Sequence, residues 1–250
     1  MEGKTILVAG ASGLLGSKIV TELLRQGAEV IAADIDETPL LAKLSEIDEG
    51  LTKVKFEKMD ITNEAEVISF FEDCNCLDGA VNSTYPRNSN YGKHFFDVTM
   101  ESFNENLSLH LGSAFLFAQQ CAAYFKRKKS NFSLVNVSSV YGVVAPKFGI
   151  YENTEMTMPV EYAAIKSAIL HLNKYIVAYV GDSKFRINCI SPGGIFDHQP
   201  PEFLNSYCDA TLGKGMLEPE DMLGTISYLL SDASKYVNAQ NIIVDDGFSL

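Results

Sequence analysis

The chain has 250 residues, 46% of them apolar, which suffices for one core flanked by helices and calls for no second domain. Its 32 acidic residues outnumber 20 basic ones and leave a net charge of −12, which argues against a nucleic-acid or anionic-membrane surface and for small-molecule partners. No uncharged apolar run reaches the ~18 residues of a membrane span, and residues 1–4 lead straight into a strand without a secretory apolar segment, so the expected location is the cytoplasm.

Thr5 to Ala9 is a β-branched, apolar run, and the pattern from Leu14 onward is helical, so Gly10, Gly13 and Gly16 sit where a strand hands over to a helix. A dinucleotide-binding turn needs that context. Gly10 can take the angles of a tight turn, Gly13 lets the main chain approach a pyrophosphate, and Gly16 allows close packing, while the helix start offers amide donors. Ser12, Leu14 and Leu15 complete the predicted cofactor cradle. The second strand, Ala28 to Ala33, ends at Asp34, 18 residues beyond Gly16. A carboxylate there can accept bonds from ribose hydroxyls and repel a 2′-phosphate, which predicts NAD rather than NADP. A solvated turn residue is the plainer alternative, since Asp36 and Glu37 follow.

Residues 37–49 read as a charged helix, Val54 to Met59 as a strand ending at Asp60 and Ile61, Asn63 to Asp73 as a helix, and Leu77 to Asn82 as an apolar strand. Such alternation predicts an α/β fold with a doubly wound parallel sheet of the Rossmann type in a single domain. Ligands should lie outside the strands' carboxyl ends, where Gly10, Asp34, Asp60 and Asn82 fall. A long polar and aromatic loop, 83–98, carries Tyr85, Arg87, Lys93 and His94. One long helix is expected from Thr99 to about Lys129, its apolar face formed by Phe103, Leu107, Leu111, Ala114, Phe115 and Ala118.

Phe132 to Val137 reads as the fifth strand, ending at Ser138 and Ser139. After a second loop, Tyr141 to Pro159, a helix over Val160 to Val180 places Tyr162 and Lys166 four apart on one face. Arg186 to Ile190 is the sixth strand, followed by Pro192, Gly193 and Ile195, a short helix near Glu202 to Ala210, a helix over Glu218 to Ser231 and a last strand at Asn241 to Val244. The five cysteines, Cys74, Cys76, Cys121, Cys189 and Cys208, are odd in number and scattered, which suits reduced packing residues, and no metal site is expected.

Gly10-x-x-Gly13-x-x-Gly16, Asp34, Asp60, Asn82, Ser139, Tyr162-x-x-x-Lys166 and Pro192-Gly193 stand in an order that resembles the short-chain dehydrogenase/reductase family along essentially the whole chain. The resemblance implies alcohol–carbonyl interconversion with a nicotinamide cofactor. Tyr162 would move the proton, Lys166 would stabilise its phenolate and hold the ribose, and Ser139 would orient the reacting oxygen. An unperturbed tyrosine, with a pKa near ~10, needs such a charge to act at neutral pH. Within the family the chain looks most like the branch of bacterial flagellin modification and sialic-acid-like sugars. Homodimers or homotetramers are common in the family.

Four positions depart from the pattern. The glycine spacing resembles the extended, nucleotide-sugar branch. Tyr85 stands in a turn where the family has small residues. His110 replaces the asparagine that usually holds a proton-relay water, so it could carry that proton or simply pack. Ser139 and Tyr162 are 23 apart, longer than usual, and the extra segment, Tyr151 to Pro159, is expected to cover the substrate pocket.

Arg87 and Lys147, with Tyr85, Tyr141 and Tyr151, suggest an anionic, polyhydroxylated substrate: a phosphorylated, carboxylated or nucleotide-linked sugar. The alternatives are a catalytically silent dinucleotide-binding regulator or scaffold, and a reductase of an unrelated ketone or acyl group.

Overall fold

The computed structural model describes residues 1–44 and 53–250. Seven strands, β1 (Thr5–Ala9), β2 (Glu29–Asp34), β3 (Val54–Lys58), β4 (Gly79–Asn82), β5 (Phe132–Val137), β6 (Phe185–Pro192) and β7 (Asn241–Val244), form one sheet in the order β3-β2-β1-β4-β5-β6-β7. Every pairing is parallel. Strands covered on both faces read as continuous apolar runs, and β1, β4 and β5 are almost wholly buried.

Helices cover both faces. On one, α3 (Glu64–Asp73), α5 (Ser113–Lys128) and α6 (Val160–Val180) pack Phe71, Phe117, Tyr124, Phe125 and Ile176 onto Leu7, Leu134 and Ile187. On the other, α1 (Leu14–Arg25), α2 (Thr38–Leu44) and α8 (Leu223–Leu230) bury Ile19, Leu23, Leu40, Ile226 and Leu229 against Ile6, Val8, Val81 and Ile190. A third cluster, Tyr141, Tyr151, Phe203, Tyr207 and Phe248, joins the loop after β5, α7 (Pro201–Asp209) and the C-terminal tail.

Some boundaries differ from expectation. The helix expected over 37–49 is described as α2 to Leu44; residues 45–49 lie outside the described residues. The single helix expected from Thr99 is α4 (Met100–Asn106), a π-helical segment Leu107–Gly112, and then α5. The apolar spacing hid this break, because a widened turn keeps the chain helical while rotating the helix beyond it. The helix expected from Glu218 begins as a 3₁₀ turn, Pro219–Met222, before α8. Cys121 and Cys189 are packing residues as expected, whereas Cys76 and Cys208 are exposed.

α6 is registered on the sheet by polar contacts that its apolar pattern does not show. Asn136 on β5 donates to Asn173 at 2.8 Å, and Asn173 donates to the Cys189 sulfur at 3.0 Å. Ser138 Oγ donates to the Lys166 carbonyl at 2.8 Å. These ties fix the height of α6, and with it that of Tyr162 and Lys166, above the carboxyl ends of the strands.

Candidate active site

A cleft of about 1000 Å³ opens at the carboxyl ends of β1 to β6, across the point between β1 and β4 where the strand order reverses. Gly10 has a φ of +80°, and a Cβ on Gly16 would stand 1.9 Å from the Gly10 carbonyl oxygen, so only glycine lets α1 start against this turn. No side chain caps α1 at Gly13. The cleft wall there, Gly10, Gly13, Leu14 and Leu15, fits a pyrophosphate against main-chain amides.

Asp34 lines the next stretch, its two oxygens accepting from Ser12 N at 2.9 Å and Ile35 N at 2.8 Å. The carboxylate is thus fixed by the backbone, with lone pairs left for a ligand. Asp60 and Ile61 also line the wall, and Asp60 accepts from the Thr62 amide at 2.9 Å and hydroxyl at 2.7 Å. Pro192, Gly193 and Ile195 close the floor after β6. These residues fit a dinucleotide laid across the strand ends.

Ser139, Tyr162 and Lys166 meet at the centre of the cleft. Burial pushes the Tyr162 phenol up, and a hydrogen bond with Ser139 pulls it back. Lys166, buried and held down to about 8 by desolvation, places its Nζ 5.5 Å from the centre of the Tyr162 ring and donates to the Val137 carbonyl at 2.8 Å. His110 lies behind it, its Nε2 3.5 Å from Lys166 Nζ. Burial first, and the Lys166 charge second, hold this imidazole down to about 2, so it is neutral at any working pH. A cation beside a tyrosine, with a hydroxyl to orient a substrate oxygen, is equipped for proton transfer at an alcohol or carbonyl.

The family model described as enoyl-(acyl carrier protein) reductase matches residues 8–249. The post-translational flagellin modification protein A of Campylobacter coli is 38% identical over 100% of both chains. The chain is a short-chain dehydrogenase/reductase. A 7alpha-hydroxysteroid dehydrogenase of Bacteroides fragilis is 26% identical over 100% of this chain and 95% of its own. A short-chain dehydrogenase of Leptospira borgpetersenii, solved with bound NAD+, superposes with a TM-score of 0.86 at 31% identity, over 100% of this chain and 94% of that one.

In this short-chain dehydrogenase/reductase, several expected site residues support the cleft from behind. Ser12 ties the glycine turn to β2 through Asp34 and the Asp36 carbonyl. Gly16 lies under the turn. Asn82 is buried, and its side-chain oxygen is spent on the Thr84 amide and hydroxyl at 3.2 and 2.7 Å.

On the substrate side, Tyr85, Arg87, Tyr141 and Tyr151 line the wall. Lys147 does not: its ammonium stands 4.5 Å over the Phe248 ring, on the tail side of the aromatic cluster. Arg87 sits 4.8 Å over the Tyr85 ring. The segment expected to cover the pocket contributes Tyr151, Met156, Thr157 and Met158 to the wall.

Tyr91, another aromatic of the loop after β4 that suits a polyhydroxylated ring, lines the cleft as well, and so do Phe203, Tyr207 and Met216, which were not singled out from sequence. Phe203 and Tyr207, four apart on α7, carried the signal of a helix face turned inward. Gly142 was missed too: a Cβ there would stand 2.8 Å from the Lys166 carbonyl, so this glycine lets the loop after β5 rest on α6 at the lysine.

Proposed function

We propose that this oxidoreductase is NAD-dependent and interconverts an alcohol and a carbonyl on a sugar-type, anionic substrate, in flagellar-glycan or sialic-acid-like sugar biosynthesis. The observation that carries the reading is the phenol-rich wall beside Tyr162, with the Arg87 guanidinium stacked on it. Phenols offer flat faces and hydrogen bonds to a polyhydroxylated ring, and Arg87 offers a charge to a phosphate or carboxylate. The Campylobacter relative supports a role in flagellin modification, and the NAD+ bound to the Leptospira relative agrees with Asp34 at the end of β2.

A nicotinamide dinucleotide held by the glycine turn, Asp34 and Lys166 would supply the hydride donor or acceptor. In the oxidative direction the Tyr162 phenolate takes the proton of the substrate hydroxyl while Ser139 holds that oxygen. Lys166 keeps the phenolate accessible by its charge. His110 acts through Lys166: its neutral ring nitrogen, 3.5 Å from the ammonium, orients it by accepting a hydrogen bond.

Reduction of an acyl substrate is the second reading, favoured by Met156, Met158, Phe203 and Met216 in the wall and by the description of the family model. The test monitors NADH or NADPH fluorescence with NAD+ or NADP+ against phosphorylated, carboxylated and nucleotide-linked sugars and 3-hydroxyacyl thioesters. Anionic sugars should give the highest kcat/KM. Arg87→Ala should raise their KM several-fold, less so at high salt. Faster turnover of acyl thioesters, or an equal KM for the neutral sugar, would overturn the reading. A cytoplasmic location and a homodimer or homotetramer belong to the same proposal, and light scattering checks the assembly.

A further inference from the structure

The tyrosines around Tyr162 come in two hydroxyl-to-hydroxyl pairs. Tyr85 and Tyr91, both on the loop after β4, are joined through their hydroxyls, and their rings meet edge to face at 5.6 Å. Tyr151 donates to Tyr141 at 3.2 Å, both on the segment after β5. Tyr162 touches both groups: its ring meets Tyr85 edge to face at 5.6 Å, and it packs against the cluster that contains Tyr141 and Tyr151. All four phenols line the cleft.

A phenol has one hydrogen and two acceptor sites. Within each pair one hydrogen is spent between the two oxygens, which leaves one hydrogen per pair without a protein partner among the described residues. Burial pushes Tyr85, Tyr91 and Tyr141 up, and Tyr151 up to about 12. Each pair therefore stays neutral and offers both a donor and acceptor lone pairs. That is the complement of a hydroxyl, which also donates and accepts, and it is a poor complement of a bare methylene, against which the spare phenol hydrogen would go unpaired.

We propose that the two tyrosine pairs are a diol-reading device: Tyr85–Tyr91 binds a hydroxyl on one carbon next to the reacting carbon, and Tyr141–Tyr151 binds a hydroxyl on the other. The preferred substrate is then a ring alcohol flanked by hydroxyls on both sides. This rests on the sugar reading above and narrows it to the neighbours of the reacting carbon.

The test is binding to the NADH-loaded protein by ligand-observed NMR, with cyclohexanol, trans-1,2-cyclohexanediol and 1,2,3-cyclohexanetriol as probes. Affinity should rise stepwise along the series, by about tenfold per added hydroxyl, the size of one net hydrogen bond. Removing both hydroxyls of one pair, as Tyr85→Phe/Tyr91→Phe or Tyr141→Phe/Tyr151→Phe, should lower the triol-to-cyclohexanol affinity ratio by about tenfold, to the wild-type value for the diol, and removing both pairs should bring it to about one. NADH binding by each variant checks that the fold survives. Equal affinity for the three probes, or variants that weaken all three alike, would overturn the device. Hydride transfer is read separately: protein that binds the triol tightly but oxidises no sugar would sink the sugar-oxidoreductase reading and leave the device standing.

Discussion

Tyr162 is the proposed proton-transfer residue, and its acidity depends on its neighbours. Burial raises its phenol pKa and keeps the proton in place, the Ser139 bond opposes this, and Lys166 stands 5.5 Å from the ring centre. Tyr162→Phe removes one oxygen and almost no volume, so NADH binding should persist while kcat falls by about 10²–10⁴-fold or more, the usual cost of losing a general acid or base. Full activity in that variant would move the proton-transfer role elsewhere.

His110 makes a second prediction, in stability rather than rate. Its folded pKa is held to about 2 against an ordinary value of 6.5. Between those values the unfolded chain binds a proton that the folded protein refuses, so this contribution is intact above pH ~6.5 and is lost as pH falls. Relative to His110→Asn, the wild type should lose about 1.4 kcal/mol per pH unit below that point. Urea unfolding of both proteins at pH 7.5, 6, 5 and 4.5 checks it, and parallel curves would show that His110 titrates freely.

At the scale of elements, the site depends on two departures from regular structure. The π-helical segment Leu107–Gly112 turns His110 inward beneath Lys166 and then lets α5 bury Phe117 and Cys121 in the core. Widened turns of this kind recur at functional sites because they re-aim side chains without ending a helix. The other is the tight passage of the loop after β5 over α6. Gly142→Ala would put a methyl group 2.8 Å from the Lys166 carbonyl, closer than packing allows, so loop and helix must part at Lys166. The expected cost is about 1–3 kcal/mol in stability by urea titration, with at least a tenfold loss in kcat. An active, fully stable variant would show that α6 is held at that height by the Ser138 and Asn173 contacts alone.

For the molecule as a whole, the cleft lining spans strand ends from β1 to β6, so a ligand that fills the cleft ties both halves of the sheet together. NAD+ at 100 times its Kd should add about 2.7 kcal/mol to the free energy of unfolding. For a chain of this size that raises Tm by about 5–10 °C. The same concentration of NADP+ should add much less, and Asp34→Ala should abolish the difference. Equal shifts for the two dinucleotides in the wild type would remove Asp34 as the discriminating residue.

The sequence by itself determined whatever depends on neighbours along the chain. The alternation of apolar strands and helical segments required a parallel sheet. The glycine spacing at a strand–helix junction marked the turn. Asp34 came next at a strand end, and Tyr162 and Lys166 stood one helical turn apart. These signals are local, because backbone period and chain direction fix them before any tertiary contact forms.

Only the tertiary structure decided which loop residues share the cleft. Arg87 and Lys147 look alike as loop cations, yet one lines the wall and the other stands over Phe248. His110 reaches Lys166 across 56 residues, and the two tyrosine pairs, each formed within one loop, meet around Tyr162 from the loops of two neighbouring strands. Contacts of that range are set by how α5 and α6 pack on β5 and by how far the widened turn rotates α5. No local period records either.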